Sequence, residues 1–382
     1  MFLLVLLLYR WAIVIPHFTN VFSQEEVKKQ TQLESAYTSG GLKRILFWTP
    51  FFSGTSLKDV GLTEEGDGYQ TFCPYRCKFT TNKNLLHLSD AVLFHSRDLQ
   101  TNGVNGLWES RNIPETRNWT QHWVFYYFES AEYTVVPLNA FNNVFNQTIS
   151  YRLDSDIYAP YSRLLPRSLE EINNYARVSE TIKKKTKMAA WIVSHCVTKS
   201  KREDLVAQLK KYFPIDVYGY CGDLECPGNR QISCYKEIGH TYKFYLSFEN
   251  SLCEDYVTEK FFNALNAGMV PVVYGGANYL HHAPEGSYIS VNSFNSTQDL
   301  ATYLLMLDKN QTEYLKYFEW KKWLKVDEIS MLPRAWCTLC ERLTVGSFPK
   351  GRVVQDLNDW WFHKQGTNSP ACSPPNHQLL DY

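Results

Sequence analysis

Short runs of consecutive apolar residues, not alternating ones, recur along the chain at 44–48, 91–95, 123–128, 189–194, 215–218, 244–248 and 270–274. Such runs fit strands covered on both faces, as in parallel sheets, where the alternation of half-exposed strands is lost. Stretches of helical period lie between them. Ser200 with Glu203 reads as a capping box that opens a helix ending near Pro214. Residues 254–267 read as a second helix with Gly268 as its stop, and 297–307 and 312–324 as two more. Strand–helix alternation in both halves predicts two doubly wound α/β domains facing one another, joined through the basic, polar stretch 165–187. Neither half has a Gly-x-Gly-x-x-Gly turn or a Gly-Lys-Ser/Thr phosphate loop, so a bound phosphate must be held by side chains and helix N-termini.

Ahead of the first strand, residues 2–8 and 11–15 are apolar, interrupted by Arg10 and ended by Pro16. A helix from Phe2 to Phe22 would extend about 31 Å, roughly one hydrocarbon core. A retained signal anchor is favoured over a cleaved signal peptide or a buried helix, because no small-x-small cleavage site stands out. Residues 23–41 are polar and end in Ser39-Gly40-Gly41, the composition of a flexible stem. Four N-x-Ser/Thr acceptors, at Asn118, Asn146, Asn295 and Asn310, add weight to passage through the endoplasmic reticulum. In that lumen thiols are oxidised, so ten cysteines favour disulfides. A four-thiolate zinc site from Cys73, Cys77, Cys337 and Cys340 is the alternative. Charge narrows the partners: 39 basic against 39 acidic side chains leaves no surplus with which to grip nucleic acid. With 44% hydrophobic and 20% charged residues the chain is an ordinary globular one. Its 15% aromatic content suits sugar stacking, although most such rings fill core.

The chemistry concentrates in Phe244-Tyr245-Leu246-Ser247-Phe248-Glu249-Asn250-Ser251-Leu252-Cys253-Glu254-Asp255-Tyr256-Val257-Thr258-Glu259-Lys260-Phe261-Phe262. This is a buried strand, a polar loop and a helix start, with the loop at the strand's carboxyl end, where a doubly wound domain places its ligand. Tyr256, Glu259, Lys260 and Asn263 fall at helical spacing on one face. Lys260 in a first turn suits a diphosphate, helped by free backbone amides, and Glu259 could accept hydrogen bonds from sugar hydroxyls. The same spacing also fits a solvated Glu–Lys surface beside a structural tyrosine.

The segment closely resembles the signature of the α1,3-fucosyltransferase family. The resemblance continues through Ala267-Gly268-Met269-Val270-Pro271-Val272-Val273-Tyr274-Gly275-Gly276. Upstream it takes in Tyr151-Arg152-Leu153-Asp154-Ser155-Asp156-Ile157 and Ala190-Trp191-Ile192-Val193-Ser194, so that it spans about 44–343. Cys221-Gly222-Asp223-Leu224-Glu225-Cys226-Pro227 and Cys234 are most similar to the invertebrate and core-type branches. The resemblance implies the GT-B arrangement, two facing Rossmann-like domains behind an N-terminal transmembrane signal anchor. The divisions are then 1–22 anchor, 23–41 stem, 42–165 acceptor-side domain, 166–345 GDP-fucose-binding domain and 346–382 tail. It also implies a single-pass type II protein of the Golgi membrane with a lumenal catalytic domain.

The implied reaction moves L-fucose from GDP-β-L-fucose to the 3-hydroxyl of an N-acetylglucosamine on a glycoprotein glycan, with inversion. Carried over by position, Arg202 and Lys260 bind the diphosphate, Asn250, Tyr256 and Glu259 contact fucose or nucleotide, and Ser194 lies in the donor-binding block. Inversion by direct displacement needs one base on the acceptor side. The family's base is a Glu in a Trp-to-Glu-Ser-Pro block, matched here from Trp123 to Glu129-Ser130, with Ala131 replacing the proline. At a buried strand's end Glu129 would be desolvated and its pKa raised, as a base needs; an ion-paired strand-end residue is the plainer reading. Positive charge beside the diphosphate substitutes for a metal, so no obligatory ion is expected and a divalent cation at most stimulates. Asp154-x-Asp156 has metal-donor spacing but lies inside a matched block and reads as structural. Members of the family tie N-terminal cysteines to a C-terminal Cys-x-x-Cys, which implies that Cys73 and Cys77 pair with Cys337 and Cys340 and clamp both domains. Two other functions stay open: the same chemistry confined to the Asn-linked core N-acetylglucosamine, and a catalytically silent glycan-binding protein. Intact Glu129, Arg202, Glu259 and Lys260 speak against the last.

Overall fold

The computed structural model describes residues 41–62, 72–102, 108–175, 182–226 and 231–380. The expected anchor, and all of the stem but its last residue, lie outside them. Among the described residues no helix is long and apolar enough to cross a membrane.

The first half builds a sheet from β1 (Lys43–Phe47), β2 (Cys77–Thr80) and β3 (Ala91–His95). A small antiparallel hairpin, β4 (Gln100–Asn102) with β5 (Trp108–Arg111), intervenes. The sheet resumes with β6 (His122–Tyr127), β7 (Gln147–Ser150) and β8 (Ile157–Tyr158). The order is β2-β1-β3-β6-β7-β8 and every pairing is parallel. All of β3 and all of β6 after His122 are buried, which is why these strands read as unbroken apolar runs.

The chain then passes through β9 (Leu164–Pro166) into a second parallel sheet. Its strands are β10 (Lys187–Ile192), β11 (Ile215–Tyr218), β12 (Tyr242–Phe248), β13 (Val270–Tyr274) and β14 (Ile289–Ser290). The order is β11-β10-β12-β13-β14. In each sheet the order reverses once, between β1 and β3 and between β10 and β12. Crevices open at such reversals, at the carboxyl ends of the strands.

Several expected helices are shorter than their periodicity. The second begins only at Glu259 and runs Glu259–Asn266, because Asp255 takes a left-handed backbone conformation (φ 59°) that breaks any helix through 254–258. Gly268, also left-handed at φ 73°, does follow its end. The pattern at 312–324 resolves into a short helix, Gln311–Lys316, a 3-10 turn, Glu319–Lys322, and β15 (Leu324–Val326). That strand pairs antiparallel with β9, so the start of the expected linker is fixed in a small sheet. The Ser200–Glu203 capping box is absent: helix Arg202–Leu209 is entered through Lys201, and Glu203 instead binds the amide and hydroxyl of Thr198 at 3.0 and 2.9 Å. A capping box does form at Ser168 and Glu171.

The C-terminal quarter departs from the domain limits expected at 345/346. Helix Met331–Val345 returns to the first sheet, where Trp336 meets Phe47 and Tyr126 edge-on at 5.2 and 5.3 Å and its indole N–H donates to Val60 O at 3.0 Å. Cys73–Cys337 and Cys77–Cys340 disulfides staple that helix to β2 and the segment before it. They therefore do not clamp one sheet to the other, as expected from sequence; both ends of each bridge lie in the first sheet's core. Three further bridges, Cys196–Cys221, Cys226–Cys234 and Cys253–Cys372, leave no free cysteine among the described residues and no thiolate for zinc. The tail is packed. Helix Leu357–Phe362 buries Trp361 against the other face of the first sheet, residue 372 is bridged to the loop after β12, and Leu379 and Leu380 enter the second sheet's core.

Candidate active site

The carboxyl ends of β6 and β12 meet across the seam between the sheets. Ser130 Oγ and Ser251 Oγ, both fully buried, are 2.7 Å apart. Beside them the Leu153 amide donates to Asp255 Oδ2 at 3.0 Å, and the rings of Tyr151 and Tyr256 pack at 4.9 Å.

On the second-sheet side the last carbonyls of β12 and its loop are all bound by the segment leading into helix Arg202–Leu209. Arg202 Nη1 donates to Phe248 O (2.8 Å), Ser200 Oγ to Glu249 O (2.7 Å) and the Ser200 amide to Asn250 O (3.1 Å). Arg202 Nη2 reaches His195 O at 3.2 Å, and the guanidinium lies 5.6 Å from the Trp191 ring. Arg202 Nε and Asn250 Oδ1 stay buried without a partner among the described residues. Buried polar atoms are rarely left so, and these two suit a polar ligand at the reversal between β10 and β12.

Lys260 enters from the first turn of helix Glu259–Asn266. Its Nζ lies 2.7 Å from Thr258 Oγ1, 3.2 Å from Glu249 Oε2 and 3.3 Å from Glu259 Oε1. Burial works to lower its pKa, but Glu249 and Glu259 outweigh burial and the nearby Arg202, holding the ammonium above its ordinary value. Burial likewise pushes the Glu259 carboxyl up, yet Lys260 and the surrounding hydrogen bonds carry it below the usual range. Gly276, in the loop after β13, lies so close to the loop after β12 that a Cβ there would sit 2.3 Å from Leu252 O. Only glycine permits that approach.

Glu129 faces this cluster from the end of β6. Its pKa is raised, chiefly by burial and further by Glu259 and Glu249, against the lowering pull of Lys260 and Arg97. The Tyr161 hydroxyl donates to Phe128 O and fixes the turn that presents it. A basic carboxylate and two cations thus converge from two sheets, an arrangement suited to deprotonating a hydroxyl opposite an anionic leaving group. On the first sheet's own reversal a small cavity of about 190 Å³, lined by Trp48, Phe51 and Lys83 among others, opens at the end of β1.

Of the residues singled out in the sequence, Glu129, Arg202, Asn250, Glu259 and Lys260 come together here, and exposed Ser194 stands at the end of β10. Tyr256 does not share their helical face. It precedes the helix and is buried between Tyr151 and Tyr161, at 4.9 and 6.4 Å, in the seam. Asp154 pairs with Arg152 at 2.8 Å and Asp156 accepts from Thr148, so this pair is structural. Among the glycosylation acceptors Asn118, Asn295 and Asn310 are exposed. Asn146 is half-buried, its Nδ2 donating to Arg352 O (2.9 Å), its Oδ1 accepting from the Trp123 amide (2.9 Å), with Thr148 of its sequon buried in β7. Glu249, Thr258 and Ser251 were not identified from sequence. The signal for Glu249 was an acid set directly against a predominantly apolar strand end.

Comparison with known proteins agrees with this architecture. Residues 41–162 match the family described as fucosyltransferase, N-terminal, and residues 182–360 match glycosyltransferase family 10 (fucosyltransferase), C-terminal. Alpha-(1,3)-fucosyltransferase C of Drosophila melanogaster is 35% identical over 345 residues, covering 84% of this chain and 78% of that protein. Glycoprotein 3-alpha-L-fucosyltransferase A of the same organism is 33% identical over 338 residues, 86% of this chain and 62% of the relative. A crystal structure of an alpha1,3-fucosyltransferase with GDP-fucose superposes with a TM-score of 0.51 at 15% identity, over 80% of this chain and 90% of that one, a likeness of fold.

Proposed function

The chain belongs to glycosyltransferase family 10, and from that membership we propose that it transfers L-fucose from GDP-β-L-fucose to the 3-hydroxyl of an N-acetylglucosamine on glycoprotein glycans, inverting the anomeric centre. The relatives' names support the α1,3 linkage, and one of them is named for a glycoprotein acceptor. The observation that carries the reading is the meeting of Glu129 with the Lys260 cluster across the seam.

In this scheme the two sheets are the facing domains of a GT-B arrangement. The second sheet holds the donor, with Lys260 and Arg202 against the diphosphate and Asn250 and Glu259 against fucose or nucleotide; Ser194 borders the same crevice. The first sheet holds the acceptor. Glu129 takes the proton of the acceptor 3-hydroxyl as its oxygen attacks the anomeric carbon and the bond to GDP breaks. The leaving diphosphate's growing charge falls on Lys260 and Arg202, so no metal is required. We place the catalytic region in the Golgi lumen behind a membrane anchor formed by residues 1–22; the five disulfides fit an oxidising lumen.

The test incubates purified full-length protein in detergent with GDP-fucose and either an N-glycan with an exposed core or a free lactosamine oligosaccharide, and mass spectrometry reports added deoxyhexose. Transfer is expected, and Glu129→Gln is expected to lower kcat by about 10³-fold while GDP binding persists. Bound GDP without transfer to either acceptor would favour a glycan-binding protein, and the preferred acceptor separates core from antennary specificity.

A further inference from the structure

The inference here rests on the donor assignment above, in which Lys260 meets the diphosphate. Glu249 has no part in that assignment, yet it directly follows β12 with 0% of its surface exposed, an acid buried at the end of a strand whose last five residues are all buried. We propose that Glu249 is a positioning residue for donor binding, holding the Lys260 ammonium and the first turn of helix Glu259–Asn266 in the arrangement that the diphosphate of a nucleotide sugar requires.

Both oxygens of Glu249 are used. Oε1 accepts from the Thr258 amide at 2.8 Å and the Thr258 hydroxyl at 3.0 Å; Oε2 lies 2.9 Å from the same hydroxyl and 3.2 Å from Lys260 Nζ. Lys260 closes the circuit on Thr258 Oγ1 at 2.7 Å. Thr258 is the N-cap of that helix, but its side chain makes no cap bond, since its hydroxyl is committed to Glu249 and Lys260. The Thr258 carbonyl accepts from the Phe261 amide instead, at 3.2 Å, so the helix start is held by backbone while the side chain serves the carboxylate–ammonium pair. The backbone around Glu249 complements the side chain. Its own carbonyl and those of its two neighbours bind Ser200 and Arg202, so one strand end sets both cations.

A lysine side chain has a long, mobile stem, and a buried carboxylate is tolerable only when paired, so each restrains the other. Glu259 is a poor substitute, being 36% exposed in its side chain. Without the Glu249 charge, Lys260 is expected to turn onto Glu259, drawing the cation from the phosphates and masking the carboxylate. The charged groups facing Lys260 are Glu249, Glu259 and Arg202, with Glu129 across the seam.

The experiment compares full-length wild type with Glu249→Gln, Glu249→Asp and Lys260→Ala. It reads donor and acceptor KM, kcat, GDP binding by titration, the pH profile of kcat/KM and the unfolding temperature. Glu249→Gln is expected to raise donor KM and weaken GDP binding by about tenfold or more, to leave acceptor KM in place, and to move the basic limb of the profile to lower pH. Glu249→Asp, which keeps the charge, restores the limb. Coulomb attraction alone makes the opposite prediction, because removing a carboxylate leaves the site more positive; tighter GDP binding in Glu249→Gln therefore overturns the proposal. So does an unchanged donor KM and profile in a folded variant. If Glu249→Gln does not fold, Thr258→Val carries the test: a raised donor KM with an unmoved basic limb supports the proposal, and a wild-type donor KM overturns it. A Lys260→Ala enzyme with wild-type GDP binding would refute the donor assignment itself, whatever Glu249→Gln does.

Discussion

Burial sets Glu129 apart from a surface glutamate, and the same burial acts on stability and on the proposed role as base in opposite senses. Its pKa is raised in the folded chain, so folding disfavours its charge; stability linked to this group is intact below the ordinary glutamate range and is lost as pH rises through the folded value. Glu129→Gln is therefore expected to melt at a higher temperature than wild type near pH 7, with the difference vanishing in acid. Scanning calorimetry at two pH values checks this. With Glu129 as the proposed base, the acidic limb of kcat/KM in wild type should lie above the usual glutamate range, since only the deprotonated form can accept the proton. At this scale the sequence was legible where the candidate site is built from contiguous residues: Glu129 beside Ser130, and Glu259 beside Lys260. It misled on the helical face given to Tyr256, because spacing cannot show that Asp255 turns left-handed and delays the helix to Glu259. Glu249 escaped for a different reason, as its meaning lies in partners met only after folding.

Among the elements, strands with apolar cores were visible and short polar ones were not. β3, β11 and β13 match their runs residue for residue. β7 reads Gln-Thr-Ile-Ser and β8 has two residues; nothing in their composition marks a strand, although all of β7 is buried. Their burial follows from neighbours β6 and the return helix, information that local propensity does not contain. The far end of the second sheet carries a feature of another kind, two buried lysines. Lys185, which donates to Gly239 O and Tyr242 O, is pushed down to about 7 by burial and then by Lys321. Lys321 is pushed to about 7 by burial and then by Arg167. Between about pH 7 and the ordinary lysine range the unfolded chain binds more protons than the folded one, so stability should rise with pH across that window. Urea denaturation from pH 7 to 9 is expected to show a gain of about 1 kcal/mol per pH unit for each lysine, and Lys321→Met should flatten it.

For the whole molecule the C-terminal tail matters more than its composition suggested. The sequence set residues 346–382 apart only as a tail, whereas the structure seats Trp361 on one sheet, joins Cys372 to Cys253 and buries Leu379 and Leu380 in the other. Deleting residues 370–382 is expected to remove about 2–5 kcal/mol of stability and to split a single calorimetric transition into two, with Cys372→Ser intermediate. A ribosome makes this chain from the other end. β1 emerges early, but the helix that covers it comes nearly three hundred residues later, and Leu379 and Leu380, which enter the second sheet's core, follow later still. Neither sheet can therefore complete its core as its own strands emerge. Meanwhile cysteines 73, 77 and 253 wait for partners not yet made, exposed to the wrong ones. Maturation of this protein thus depends on whatever chaperones and disulfide isomerases hold both sheets open until the segments from 331 to 380 arrive.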